Sequence, residues 1–462
     1  MMVSNIPAPD SDTLSIIPIL YQNNKLCKFM SRYSRPANVS RSPNGTIMTI
    51  LLINPNRYQS PPVPPIGLEY LAGALDSTGH QYQVCDLCFA ENPADVLTRA
   101  IDSVRPDIAG ITIRNIDTVI YQNNLFFLDD IAKTVRQVHD REVPVVLGGA
   151  GYSFMPEEIL AYTGADYGIA GPGEGALPVL LDRLADGAVP ERTVLDGFDM
   201  PFDRSLTPGR GELFDYERYL GSRGLAGFET QKGCAERCAY CLECRRDRVV
   251  FREPDAVVDE IETMVGRGIS RFHLCDTEFN QDLGHCKRFL HALIDRELDM
   301  QWALYLKSRP YDGELFELLA ASRAELVTLS LPTGTDWLSA ASEQVQLARA
   351  NGLKLVVDLL VGLPGQTIDE VRRIIDTLRE AGPETVGVNS TIRLYKGLPV
   401  TDMIMADPAQ QRYLLGETEG NDDCVRPVFY QWLTVDMLRD IIGDDPLFKI
   451  EGFERTSNYE RV

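Results

Sequence analysis

Positive charge is in deficit. Forty-five Lys and Arg face 67 Asp and Glu, for a net charge of −22 at pH 7. A field of that sign repels phosphate backbones and anionic membranes, so nucleic acid is not an expected partner. The same field attracts a polycationic small molecule, although an acidic surface also serves solubility alone. Long apolar runs are lacking as well, and none approaches the length of a membrane-spanning helix. The first residues, Met1 to Asp12, are acidic and carry prolines, without a basic start followed by an apolar stretch. No secretory leader is therefore expected, and a cytoplasmic location is. In that setting ten cysteines point to thiol, metal or redox chemistry more than to a disulfide framework.

At 462 residues the chain exceeds what one growing core supports, so two or three domains are expected. From Thr49 to about Leu184, short β-branched runs alternate with helical stretches, the signature of a parallel sheet wrapped by helices. Strands are expected at Thr49–Pro55, Gln81–Leu87, Asp107–Ile113, Val143–Gly149 and Ala165–Ala170. Such a Rossmann-like α/β domain binds its ligand beyond the carboxyl ends of the strands. The loops there carry Asn54, Asp86, Arg114, Asn115, Asp117, Gly148, Gly149 and Gly151, of which Arg114, Asn115 and Asp117 are candidate substrate contacts. A stretch rich in Gly, Pro and Asp reads as a linker. A second series of strands, at Gly227–Gln231, Arg271–Cys275, Trp302–Leu306, Leu326–Leu331, Leu353–Leu360 and Thr385–Leu394, alternates with helices and predicts a six-unit β/α barrel. The expected order is an extension over 1–45, the Rossmann-like domain over 46–190, a linker over 191–225, the partial barrel over 226–403 and a short C-terminal segment over 404–462.

The densest chemistry is Gln231-Lys-Gly-Cys234-Ala-Glu-Arg-Cys238-Ala-Tyr-Cys241. Three thiols within eight residues, just after an expected strand, let one loop wrap an iron–sulfur cluster. An ordinary electron-transfer cluster takes four thiolates, so three leave one iron open. Cys244 extends the series and keeps a zinc knuckle or a four-cysteine centre as the competing reading.

The spacing of Cys234, Cys238 and Cys241, with an aromatic Tyr240 before the last, resembles the radical S-adenosylmethionine (SAM) superfamily. The resemblance implies a 4Fe–4S cluster on the three cysteines, SAM chelating the open iron, and a flavodoxin- or ferredoxin-type reductant. It implies roles residue by residue. Glu278, in Asp276-Thr-Glu-Phe-Asn280, stands where the family carries a glycine-glycine-glutamate stretch holding the SAM amino group, although the glycines are missing. Asp276 lies beside it or turns towards substrate, and the two are the candidate catalytic carboxylates. Ser330 stands where relatives have a ribose-contacting glycine-x-glutamate-serine stretch, here without the glutamate. Gly362-Leu-Pro-Gly365 resembles a family turn that a helix start capped by Thr367 explains equally well. Arg393 and Tyr395 match an arginine-x-tyrosine pattern on the sixth strand. Lys307 could meet the SAM carboxylate. Tyr240, Glu278, Lys307, Ser330, Gly362 and Arg393 are thus the expected SAM contacts.

A Rossmann-like domain ahead of this barrel resembles the subclass with an N-terminal cobalamin-binding domain, as do Gly148-Gly149 and Gly171-Pro-Gly-Glu174-Gly. None of the five histidines sits in the aspartate-x-histidine-x-x-glycine stretch that ligates cobalt in relatives, so cobalamin is disfavoured at this stage. Three chemistries follow. The favoured one resembles aminoglycoside-deoxygenating dehydratases: a 5′-deoxyadenosyl radical abstracts hydrogen from a cationic amino-polyol such as paromamine, Asp276, Glu278 and Asp358 face the substrate, and a partner NAD(P)H-dependent reductase completes deoxygenation. The second is a cobalamin-dependent methyltransferase acting on an unactivated carbon. The third is a non-enzymatic electron carrier.

Overall fold

The structure, a computed structural model, describes residues 46–453 other than 189, 244–247 and 333. The extension expected over 1–45 lies outside the described residues. Those described belong to one compact unit.

The first layer is a six-stranded parallel sheet. Its strands are β1 (Thr49–Asn54), β2 (Gln81–Asp86), β3 (Ile108–Thr112), β4 (Val145–Gly148), β5 (Tyr167–Ala170) and β6 (Val194–Asp196), ordered β2-β1-β3-β4-β5-β6. Ile50 to Ile53 are fully buried, because helices cover both faces; that is why this strand reads as a continuous apolar run and not as an alternation. Helix Pro93–Val104 starts where Asn92 accepts from the Asp95 N–H and Pro93 fills the first turn, an N-terminus written locally in the sequence. Chain order reverses between β1 and β3, which places the crevice at their carboxyl ends.

Next come β7 (Ala226–Phe228), the antiparallel hairpin β8 (Gln231–Cys234) and β9 (Arg248–Phe251), then β10 (Arg271–Leu274), β11 (Gln301–Lys307), β12 (Ala324–Ser330), β13 (Lys354–Leu360) and β14 (Thr385–Asn389). Apart from the hairpin, these run parallel in the order β7-β10-β11-β12-β13-β14. The helix Ile368–Ala381 opens on a capping box between Thr367 and Glu370 and buries Val371, Ile374, Ile375 and Leu378. Each such buried side chain contributes about 1.5–3 kcal/mol. The register sets Lys307 beside Ser330, Ser330 beside Asp358 and Asp358 beside Gly387, a polar row across four strands near their carboxyl ends.

Two expectations are corrected. The strand expected over Thr385–Leu394 breaks at Ser390 and Thr391, where Asn389 turns its side chain back to accept from the Thr391 N–H at 2.8 Å. Beyond the break β15 (Ile392–Leu394) joins β16 (Leu414–Gly416) and β17 (Val428–Tyr430) in a separate antiparallel sheet, and β18 (Phe448–Ile450) takes the barrel edge beside β14. The span 191–225 is also no mere linker. It contributes β6, the helix Tyr216–Gly221 and Arg210, which is fully buried. The Arg210 guanidinium donates to Glu69 at 2.5 Å, to Glu260, to the Tyr216 hydroxyl at 3.0 Å and to the Gly227 carbonyl at 2.8 Å. Arg252 completes the network by donating to Glu260 at 3.0 Å and to the Tyr70 hydroxyl at 2.9 Å. Its members come from the helix Ile66–Asp76 of the first layer and from Pro254–Gly266 of the second.

Candidate active site

The cysteine loop leaves the barrel through the β8/β9 hairpin. Gly233 holds φ +87°, and a Cβ there would stand 2.2 Å from the Arg248 carbonyl, so the turn into Cys234 admits glycine alone. Cys234 is buried, while Cys238 and Cys241 are half-buried and joined by a 3.1 Å bond from the Cys241 N–H to the Cys238 carbonyl. Burial pushes the Cys238 thiol up to about 12, reinforced by charge on Cys241, Glu236 and Cys234. Three crowded thiols resist becoming thiolates together, and cationic iron removes that resistance, so the donor set suits a cluster. Among the described residues no three His, Cys, Asp or Glu side chains close on one point as a single ion requires. Cys244 lies outside the described residues.

Around this loop the strand ends bring further groups. Gln231 is buried and donates from Nε2 to the Glu278 carbonyl at 2.6 Å. Gln231 Oε1 and Glu278 Oε2 are both buried without a hydrogen-bond partner, two acceptors suited to a ligand bearing N–H donors. Burial pushes the Glu278 carboxyl up to about 8, opposed by the Ser330 hydroxyl and Lys307; a bound ammonium would reverse that shift. Lys307 is paired with Glu236 at 2.5 Å, so its charge steadies the cysteine loop.

Asp276 turns away from the cavity. Its carboxylate accepts from the Thr230 N–H at 2.8 Å, the Thr230 hydroxyl at 2.5 Å and the Gln231 N–H at 3.2 Å, which anchors the residues before the cysteine loop. Burial pushes it up to about 7. Gly362 also lies off the cavity; its N–H donates to Gln366 at 2.7 Å and its φ is +81°. Asp117 and Arg393, expected in two different roles, form one buried ion pair at 2.9 Å. The Arg393 guanidinium further donates to the Leu394 carbonyl, and to those of Cys424 and Val425 at 3.0 Å each. Its donors are committed, although its edge reaches the cavity wall.

The remaining expected groups face a common cavity of about 1300 Å³, walled by the carboxyl ends of both sheets. Cys234, Cys238, Tyr240, Cys241, Glu278, Lys307, Ser330 and Asp358 line one side, and Asn54, Arg114, Asn115, Gly148 and Gly149 the other. The glycine end of β4 is a cradle: a Cβ on Gly148 would have no protein atom within 3.8 Å, whereas one on Gly149 would strike the Ile113 carbonyl at 2.6 Å. Such an open, glycine-lined floor suits a broad planar ligand. Sequence reading missed Gln281, whose amide touches Cys234, and the cavity-lining trio in which Lys232 holds Glu174 at 2.7 Å and Glu229. Gln281 follows the quoted Asp276–Asn280 stretch directly, and its adjacency was the available signal.

Comparison with known proteins agrees with this geometry. Residues 60–181 match the B12 binding domain and residues 228–378 the radical SAM superfamily. Tryptophan 2-C-methyltransferase from Streptomyces laurentii is 27% identical over 443 residues, covering 76% of this chain and 74% of that protein. Cytidylyl-2-hydroxyethylphosphonate methyltransferase from Streptomyces wedmorensis is 23% identical, with 75% and 80% covered. The solved structure of the radical SAM methyltransferase TsrM from Kitasatospora setae, with tryptophan and a SAM analogue bound, gives a TM-score of 0.79 at 25% identity over 89% of this chain and 93% of that one. The cobalamin-dependent enzyme OxsB shares the fold, with a TM-score of 0.66 at 14% identity over 83% and 64%. The expectation that cobalamin is disfavoured is overturned by the match over 60–181. The missing histidine concerned a single cobalt contact, whereas the match spans the domain. No helix among the described residues is long and apolar enough to cross a membrane.

Proposed function

From a chain that joins a B12-binding domain to a radical SAM domain, we propose a cobalamin-dependent methyltransferase acting on carbon in a small metabolite. One observation carries the reading: the cysteine loop and the glycine cradle open onto the same cavity. When bound, cobalamin supplies a methyl carrier and the cluster supplies an electron to SAM.

In this proposal Cys234, Cys238 and Cys241 hold the cluster. Glu278 and Gln231 receive the SAM ammonium, while Ser330 orients the Glu278 carboxylate from the next row. Arg114 and Asn115 reach into the cavity from the loop after β3 and border the substrate. The methyltransferase names of the relatives support this reading over dehydration. Of the three acids expected to face a polycationic sugar, Asp276 is taken up by Thr230 and Gln231. An external one-electron donor of the flavodoxin or ferredoxin type belongs to the proposal.

The test is anaerobic turnover of the reconstituted protein with hydroxocobalamin, SAM, a reductant and a substrate panel that includes indoles and amino-sugars. Corrin absorbance, S-adenosylhomocysteine and a product heavier by one methyl group are expected. A dehydrated product formed without S-adenosylhomocysteine and indifferent to cobalamin would return the first reading.

A further inference from the structure

Gln281 stands against the cysteine loop without belonging to it. Its Nε2 lies 3.3 Å from Cys234 Sγ. Its Oε1 receives the Ala235 N–H at 3.3 Å and the Lys307 ammonium at 3.3 Å. Two donors on the oxygen settle which way the amide points, so Nε2 donates to sulfur. The Glu236 N–H, 3.4 Å from the same sulfur, is a second donor.

The turn that carries Gln281 is held on both sides. Phe279 and Asn280 are fully buried. The Asn280 amide donates to the carbonyls of Lys307 at 3.0 Å and Pro310 at 2.7 Å and accepts from the Lys307 N–H at 2.9 Å. After it, Asp282 caps the next helix by accepting from the His285 N–H at 2.6 Å. A relay thus runs from Glu236 through Lys307 and Gln281 to Cys234. Nothing in it requires substrate.

We infer that Gln281 is a positioning residue that raises the reduction potential of the cluster held by Cys234. This rests on the cysteine assignment made above. Reduction adds negative charge that spreads onto the thiolate sulfurs, and an N–H aimed at one of them stabilises the reduced form more than the oxidised form. Anchoring the donor on β11 keeps it in place while ligands enter and leave.

The test is a spectroelectrochemical titration of the reconstituted, SAM-free protein against Gln281→Met, which keeps the length and loses the donor, and Gln281→Glu, which places an acceptor there. Both variants should retain wild-type iron and sulfide content. At a fixed potential the reduced-to-oxidised ratio should fall roughly three- to tenfold in Gln281→Met, tenfold being about 59 mV for one electron. It should fall further in Gln281→Glu. Unchanged potentials in both variants would overturn the inference, as would loss of the cluster from Gln281→Met, which would make the residue a requirement for assembly instead. Failure of the wild-type chain to assemble a cluster would strike the cysteine assignment and is read separately from either result.

Discussion

Replacing Arg393 separates a framework role from a ligand-binding one. The side chain is 1% exposed and Asp117 is 0% exposed, so Arg393→Met leaves a buried carboxylate. Its remaining donors are the Val119 N–H at 2.7 Å and the Asn124 amide at 3.5 Å. Breaking a buried pair by removing one partner costs about 3–5 kcal/mol, because the other charge stays uncompensated. With an unfolding entropy of about 2.1 cal/mol/K per residue, a unit of this size shifts by about 1 °C per kcal/mol, so melting should fall by roughly 3–5 °C. Removing both charges with Asp117→Leu and Arg393→Met together should recover much of that loss, since apolar replacement of a whole buried pair is often neutral. The assay is thermal unfolding by circular dichroism for the two single variants and the double, alongside SAM titration of the reconstituted proteins. SAM affinity should stay within about twofold of wild type, 0.4 kcal/mol or less. Unaltered melting with tenfold weaker SAM binding, or losses that simply add in the double variant, would refute the reasoning and return Arg393 to the SAM site.

Three further outcomes are expected. Alanine at Cys234, Cys238 or Cys241 should abolish cluster absorbance and SAM cleavage, whereas Cys244→Ala should spare both; an intact cluster without Cys238 would sink the assignment. Glu278 sits near pKa 8 in the ligand-free cavity and the SAM α-amino group titrates in the same range, so SAM affinity should peak near pH 8 and fall about threefold by pH 7 as Glu278 takes up its proton. Glu278→Gln should bind about tenfold more weakly at pH 8 and lose the acid-side fall, and a fall that persists in the variant would assign it to another group. Gly148→Leu meets only the Ile169 carbonyl, at 3.8 Å from its Cβ, and should fold normally while taking up at least about tenfold less corrin, a loss of about 1.4 kcal/mol or more, measured as absorbance after gel filtration; undiminished uptake would move cobalamin off the cradle.

What could be read from the sequence was local. The five expected strands of the first sheet and the three-cysteine loop are each specified by neighbours within a dozen residues, and so is the Thr367 cap. Partners set far apart in the chain were not legible. Asp117 and Arg393 are 276 positions apart, and each alone looks like a charged strand-end residue that should face a ligand. Arg210 lies in a stretch whose glycines and prolines suggest a linker, and only the fold brings Glu69 and Glu260 to it. Lys307 and Glu236 were both visible, but their pairing depends on how the Phe279–Gln281 turn folds back against β11. Of the carboxylates expected to face a cationic substrate, Glu278 and Asp358 do line the cavity, while Asp276 is turned to Thr230 and Gln231 by contacts 46 and 45 positions away in the chain.

The network around Arg210 gives the two layers a common keel. Domains joined by small polar interfaces usually swing against each other; here a swing would pull the Glu69 carboxylate from Arg210 and the Tyr70 hydroxyl from Arg252. A vessel with a rigid keel is loaded through its hatches or while its planks are still being laid. The largest ligand should therefore enter by displacement of the loops at the strand ends, or during folding itself, and chain refolded in the presence of corrin should fill more completely than intact protein soaked in it.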